Sequence, residues 1–220
     1  VTKIELFTDG GSNKDRTAAS AAIIQVPQSH LRMHLAAFLG EGTNNEAEIF
    51  AGLLGFYAIN QFKLFNPKLA TVEVVWTGDS EYVLKSATQY IKQWQQNGWK
   101  TSQRQAVKNV GMWKEYLNLS STLKIVPNHV RGHTGHPENE ACDVVCNWVK
   151  SNASSYFLGK SEGIRMLDDD TGRNPWLLLD AREIIQKLRS EQSEQPDTFQ
   201  ALDPIFQRYF SWYKKNASSV

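Results

Sequence analysis

The sequence has little of what would mark a secreted, membrane-spanning or zinc-stapled protein. Its 220 residues contain two cysteines, Cys142 and Cys146. They stand four apart within one predicted helix, so a bridge between them would tie nothing distant, and there is no second pair to complete a zinc site. They read as reduced, buried, small apolar side chains. No apolar run is long enough to cross a bilayer, and the first residues enter a strand-like pattern without a signal peptide. A cytoplasmic protein is expected. Charge of one sign is also scarce: 24 basic and 23 acidic residues leave a formal +1. That balance hides local asymmetry. Residues 90–108 hold Lys92, Lys100, Arg104 and Lys108 and no acid, whereas 161–204 is acidic, led by Asp168, Asp169 and Asp170. Such a distribution suits local contacts with an anionic partner. A hydrophobic content of 41% suffices for a packed core, in one good-sized domain or a domain plus an appendage.

What is present concentrates in one stretch. Arg131 to Asp143 reads RGHTGHPENEACD. Its glycines and proline make the first half a loop. From Pro137 the residues suit a helix, with Pro137 in the first turn and Glu138 and Glu140 near its positive end. Asp143 falls about one and a half turns inside. Upstream, residues 3–8 (KIELFT) alternate as a strand that ends at Asp9-Gly10-Gly11. Residues 19–26 and 31–39 give two more strands joined as a hairpin. Thr43-Asn44-Asn45 caps a helix over 46–62. Residues 71–76 form a strand ending at Thr77-Gly78-Asp79, and 81–87 opens a helix. Residues 123–130 form the last strand, where Pro127 implies an edge or an irregularity. The helix from Pro137 is expected to reach about Asn152. This order predicts an α/β domain with a mixed, five-stranded sheet flanked by helices. Crossover connections make the strands ending at Asp9 and Asp79 parallel, so both carboxylates reach the edge where open α/β sheets bind ligands.

Carboxylates repel one another, and burying each costs several kcal/mol. A cation that neutralises them is the usual reason to gather them, and all-oxygen ligands select hard ions such as Mg²⁺ or Mn²⁺. Two such ions ~3.5–4 Å apart suit phosphodiester hydrolysis. The candidate set is Asp9, Glu48, Asp79 and Asp143, with Glu46 competing with Glu48; two apart on a helix, they cannot share a face.

Four motifs carry a resemblance: T-D-G at 8–10, T-N-N-x-x-E at 43–48, G-D-S-x-Y-V at 78–83 and G-H-x-G-H-P-E-N-E-x-C-D at 132–143. A fifth segment, W-x-x-x-x-W-K-T at 94–101 followed by V-K-N-V, resembles a basic handle. Together they make the chain resemble the type 1 ribonuclease H family, the bacterial ribonuclease HI group, over about 150 residues. The resemblance implies a ribonuclease H-like fold and an endonuclease that hydrolyses the RNA strand of RNA–DNA hybrids, leaving 5′-phosphate and 3′-hydroxyl ends. It implies Asp9, Glu48, Asp79 and Asp143 as ligands of two Mg²⁺ ions, with Mn²⁺ a substitute, and it selects Glu48 over Glu46. His133 matches a loop histidine that assists proton transfer or product release, a role suited to an imidazole. His136 holds the loop's shape, and Glu140 matches an acidic residue near the metals.

RNA is told from DNA by its 2′-hydroxyls. The resemblance assigns that contact to Gly10, Gly11 and Ser12, with Asn44 and Glu48. Thr43 matches a phosphate-pocket residue, with Asn13 as its partner, although the loop SNKDRTAAS departs from the Gly- and Pro-rich bacterial pattern. Lys92, Lys100, Arg104 and Lys108 are assigned to phosphates and Trp113 to stacking; Trp94 and Trp99 are assigned to the handle's own core. The ribonuclease H domain is expected to span 1–152. Residues 153–220 form a C-terminal extension read as helical, with 152–155 and 159–161 read as a linker, 168–175 polar and turn-like, and helical spacing over 176–188 and 199–213. A monomer is expected. Competing readings are a non-catalytic hybrid-binding module and a nuclease of the same fold acting on duplex RNA.

Overall fold

The computed structural model describes residues 1–29, 31–67, 69, 71–132, 135–157, 164–167, 176–190 and 198–216. In chain order the elements are β1 (Thr2–Ser12), β2 (Thr17–Val26), β3 (Leu31–Glu41), α1 (Asn44–Phe65), β4 (Val72–Gly78), α2 (Glu81–Lys85), a π-helical turn (Ser86–Tyr90), α3 (Ile91–Gln96), α4 (Val110–Ser120), β5 (Leu123–His129), α5 (Pro137–Tyr156), β6 (Ile164–Leu167), β7 (Trp176–Asp180), α6 (Arg182–Arg189) and α7 (Asp203–Asn216). They build one mixed sheet in the order β5-β4-β1-β2-β3-β7-β6. β1, β2 and β3 form an antiparallel meander. β4 runs parallel to β1 and β5 parallel to β4. The α/β class and mixed pairing expected from the sequence hold. Pro127 lies on β5, at the end of the sheet, where a missing N–H is tolerated.

The five-stranded expectation is corrected to seven. The two added strands come from the C-terminal extension. β7 pairs parallel with β3, His34 opposite Trp176 through Phe38 opposite Asp180, and β6 pairs antiparallel with β7. Helical spacing over 176–188 is thus wrong for its first five residues. The run WLLL is buried on both faces, with Leu177 and Leu179 in one core layer and Trp176 and Leu178 in the other. A short apolar run of this kind cannot be told from a buried helix by periodicity. Helical structure starts at α6, whose Ile184, Ile185 and Leu188 are buried. α5 extends through Asn152 to Tyr156, so 152–155 are corrected from linker to the last turn of this helix. Residues 159–161, and the turn-like stretch at 168–175, lie outside the described residues.

Two cores sandwich the sheet. On one face α1 lays down Ile49, Phe50, Leu53, Leu54 and Phe56 against Ile4, Leu6, Val74 and Trp76; Phe199, Phe206 and Phe210 from the extension close the same core. On the other face α5 packs Cys142, Val145, Cys146 and Val149 on Phe7, Ala19, Ala21, Ile23 and Ala36. β2 supplies both faces, Ala18 and Ala22 to one and Ala19 and Ala21 to the other, which explains its small, continuous apolar sequence. Both thiols are free and buried as expected, and burial pushes them well above the ordinary thiol range.

Candidate active site

The site sits where β1 and β4 deliver their carboxyl ends. Asp79 is the residue after β4. β1 does not stop at Asp9 but continues paired with β2 through Ser12, so Asp9 is held in a ladder and not in a loop. Helix α1 is started by a complete capping box: Thr43 Oγ1 accepts from Glu46 N at 3.2 Å and Glu46 Oε2 accepts from Thr43 N at 2.8 Å, the reciprocal pairing that fixes a helix start. The helix then crosses β1 at very close range. A β-carbon on Gly10 would lie 2.3 Å from the backbone carbon of Ala47 and 2.4 Å from the nitrogen of Glu48. Only glycine permits this approach, and it brings Glu48 beside Asp9. Ser20 Oγ, donating to the Ala47 carbonyl at 2.6 Å, pins the same turn from β2. The loop after β5 closes over Asp79: a β-carbon on Gly132 would meet Asp79 Oδ2 at 2.8 Å.

Asp9, Glu48 and Asp79 come together so that one carboxylate oxygen from each lies within 4.8 Å of the others. Burial, then the charges of Asp79 and Asp143, push Asp9 up to about 7, against a hydrogen bond from Gly10 N and the charge of Lys150. Burial, then Asp9 and Asp79, push Glu48 up to about 9. Asp79 Oδ1 is buried and has no hydrogen-bond partner among the described residues. Buried acceptors are normally satisfied, so converging carboxylates with an orphaned oxygen fit a bound hard cation, whose charge would offset their repulsion. Asp143 projects from α5 and accepts from Asn147 Nδ2 at 3.0 Å. It stands outside the 4.8 Å group among the described residues, yet near enough to act on Asp9.

Ser12 and Asn44 are brought together, the Asn44 Oδ1 accepting from Ser12 N at 2.6 Å and from Ser12 Oγ at 2.9 Å. Gly10 and Gly11 lie on β1 beside them. Thr43 is exposed at the α1 start, and Asn13 belongs to a separate exposed turn closed by Arg16 N to Asn13 O at 2.9 Å. Lys92, Lys100, Arg104 and Lys108 are exposed and form no ion pair among the described residues. Trp113 is a correction. It is fully buried in the α1-side core, edge-on to Trp94 at 5.9 Å, and cannot stack on a base. Met112, Trp113, Tyr116 and Leu119 are the inward positions of α4, a helical spacing that the nearby cations overshadowed. Trp94 is buried and Trp99 packs on the same core; both serve packing as expected, but in the main α1-side core and not in a separate core of the handle. His133 lies outside the described residues. Glu140 accepts from Gly135 N at 2.8 Å and braces the loop; His136 packs its ring on Phe7 at 5.2 Å. Sequence reasoning overlooked Lys150, which acts on Asp9 from two turns beyond Asp143 on α5; the i, i+7 spacing was the available signal.

Acidic side chains from a sheet edge and two helices, converging on a mixed sheet covered on both faces, define an α/β enzyme of the carboxylate-cluster class. The family model for RNase H matches residues 1–150. A ribonuclease H of Aeromonas salmonicida (strain A449) is 35% identical over 172 residues, covering 78% of this chain and 97% of that protein. A ribonuclease H of Klebsiella pneumoniae (strain 342) is 31% identical over 157 residues, covering 71% and 95%. Among solved structures, LC9-RNase H1, described as a type 1 RNase H with the type 2 active-site motif, aligns with a TM-score of 0.58 at 19% identity over 81% of this chain and 94% of that one. The chain belongs to the ribonuclease H family.

Proposed function

We propose that this chain hydrolyses the RNA strand of RNA–DNA hybrids endonucleolytically, with Asp9, Glu48, Asp79 and Asp143 holding two Mg²⁺ ions for which Mn²⁺ can substitute. The observation that carries the reading is the convergence of Asp9, Glu48 and Asp79 within 4.8 Å, with an Asp79 oxygen that has no hydrogen-bond partner among the described residues, in a chain of this family. When bound, such a pair of ions supplies an activated water and charge stabilisation for the leaving oxygen, giving 5′-phosphate and 3′-hydroxyl ends.

The protein's own groups supply the rest. Asp9 and Glu48 give up protons as the site loads, because their raised pKa values favour the neutral form when no cation is present. The backbone of Gly10, Gly11 and Ser12, with Asn44 locked to Ser12, presents a rigid polar edge to the 2′-hydroxyls that distinguish RNA. Exposed Thr43, at the positive end of α1, suits a phosphate of the DNA strand, with Asn13 as a neighbouring contact. Lys92, Lys100, Arg104 and Lys108 add salt-sensitive phosphate contacts. His133 is assigned the proton transfer or product-release role. No helix among the described residues is long and apolar enough to cross a membrane, and the two buried free thiols suit a cytoplasmic setting. Hybrid, duplex RNA and duplex DNA should be offered side by side, with Mg²⁺ and with EDTA. Mg²⁺-dependent cutting of the hybrid's RNA strand, lost in Asp9→Asn, is the expected result. Preferential cutting of duplex RNA, or an active Asp9→Asn chain, would overturn it.

A further inference from the structure

We infer that Lys150 is a substrate-binding residue whose ammonium holds a non-bridging phosphate oxygen of the RNA strand, next to the phosphate that is cut. The inference deepens the proposed function and rests on it.

Three observations place the lysine. Asp143, Asn147 and Lys150 are spaced i, i+4 and i+7 on α5, so they share one face of the helix. That face runs from carboxylate to carboxamide to ammonium, about 10 Å along the axis at 1.5 Å per residue. On β1 the residues facing α5 alternate: Phe7 packs into the α5-side core, and Asp9 and Gly11 follow at a period of two. Lys150 meets this row at its last member. A β-carbon on Gly11 would lie 3.1 Å from Lys150 Nζ, so the ammonium occupies the space a side chain would have taken.

Lys150 is half-buried and makes no hydrogen bond or ion pair within 4.0 Å among the described residues. It does favour the ionised form of Asp9 through space. Half-buried ammonium groups are normally paired or led out to solvent. Here the free end is turned to the strand edge that Gly10, Gly11 and Ser12 offer to the RNA sugar. Charge balance points the same way. Four carboxylates and two divalent ions cancel, so each incoming phosphate adds a negative charge that the cluster does not neutralise. Lys150 is the cation positioned to meet it. Asp9 and Gly11 are two strand residues apart, about 7 Å, so the ammonium reaches a flanking phosphate and leaves the scissile one to the carboxylate site. Asn147, tied to Asp143 at 3.0 Å, spaces the two.

The test uses the full chain, steady-state cleavage of a hybrid, and a set of hybrids carrying one neutral methylphosphonate linkage walked along the RNA strand. Lys150→Gln should raise KM about tenfold, the loss of one charge-assisted hydrogen bond, with kcat within about twofold. Lys150→Arg should restore most of the loss. The slope of log KM against log salt should shallow by about one in Lys150→Gln. One methylphosphonate position beside the cut should penalise the wild type and leave Lys150→Gln indifferent. An unchanged KM, a fall in kcat at constant KM, or a methylphosphonate penalty equal in both proteins would overturn the inference while hybrid cleavage by the wild type kept the proposed function standing. A wild type that does not cut hybrid would overturn both.

Discussion

Asp9 and Glu48 are carboxyls that folding makes hard to ionise. Asp9 is raised from 3.8 to about 7 and Glu48 from 4.5 to about 9. Between these unfolded and folded values the native chain binds more protons than the unfolded one, so its stability falls as pH rises through that window. In EDTA, the melting temperature should therefore drop between about pH 5 and about pH 8. A divalent ion replaces the protons and stabilises by mass action, so the gain in melting temperature on adding Mg²⁺ should be larger at the higher pH. A gain that shrinks with pH would show that these carboxyls are not the ligands. The same reasoning separates stability from activity in one variant. Glu48→Gln keeps the shape and removes a carboxyl that folding must either protonate or bury charged beside Asp9 and Asp79. It should melt higher than the wild type in EDTA at about pH 8, by on the order of 1–3 kcal/mol, while cleavage falls at least about 10²-fold; melting curves and single-turnover assays check the two halves. Asp9 and Asp79 were legible in the sequence because two parallel strand patterns lead to carboxylates at one sheet edge, whereas Glu48 was separated from Glu46 only by the resemblance carried in T-N-N-x-x-E. Lys150 was not legible, because its neighbour Gly11 is remote in sequence and only the packing of α5 on β1 brings them together.

At the scale of elements, the handle and α1 show what charge and periodicity each reveal. Trp113 was grouped with the handle cations because aromatic and basic residues interleave there, yet it packs at 0% exposure. Trp113→Ala should cost about 3–5 kcal/mol, read by denaturant unfolding. Trp113→Phe should leave hybrid affinity unchanged within error. The joint change of Lys92, Lys100, Arg104 and Lys108 to Gln should weaken affinity and flatten its salt dependence with little effect on melting; the reverse pattern would restore Trp113 to the contact surface. The start of α1 carries a link that no local motif announces. Arg189, the last residue of α6, donates from Nε to Glu46 Oε1 at 2.7 Å and from Nη2 to the Glu41 carbonyl at 2.7 Å. Its charge and hydrogen bond, with that from Thr43, hold the Glu46 carboxyl below its usual range although burial pushes the other way. The extension thus buttresses the capping box from which Glu48 is aimed. Arg189→Met should destabilise by about 1–2 kcal/mol, modest because the guanidinium is partly exposed, and should lower kcat more than it raises KM. Loss of stability with kinetics untouched would reduce the link to packing alone.

For the whole molecule, the sequence suggested a nuclease with an appendage, and the packing joins the two. The motifs end near Asp143, and composition turns polar and acidic beyond α5, which is why the division at 152 was natural to draw. The physics that matters lies in the edge of β3. Without β7, the backbone of His34 to Phe38 would lose its parallel partner, and an exposed apolar edge strand is an aggregation hazard. Leu177, Leu179, Ile184, Ile185, Leu188, Phe206 and Phe210 complete a core that α1 and β3 begin. Tyr209 and Tyr213 fasten α7 further, donating to the carbonyls of Arg32 at 3.2 Å and Ser29 at 2.5 Å. Residues that share one core unfold together. Far-UV circular dichroism and tryptophan fluorescence should therefore report one coincident transition for the full chain. Ending the chain at Phe157 should give a product that is insoluble or melts far lower, because seven large apolar side chains leave the core at about 1.5–3 kcal/mol each while β3 is uncovered. Polar substitutions on the uncovered edge, such as Leu35→Lys, would not rescue it, since Leu35 is itself fully buried on the α1 side. Two separated transitions, with a truncated chain as stable as the first of them, would mean that the extension folds on the nuclease without holding it together.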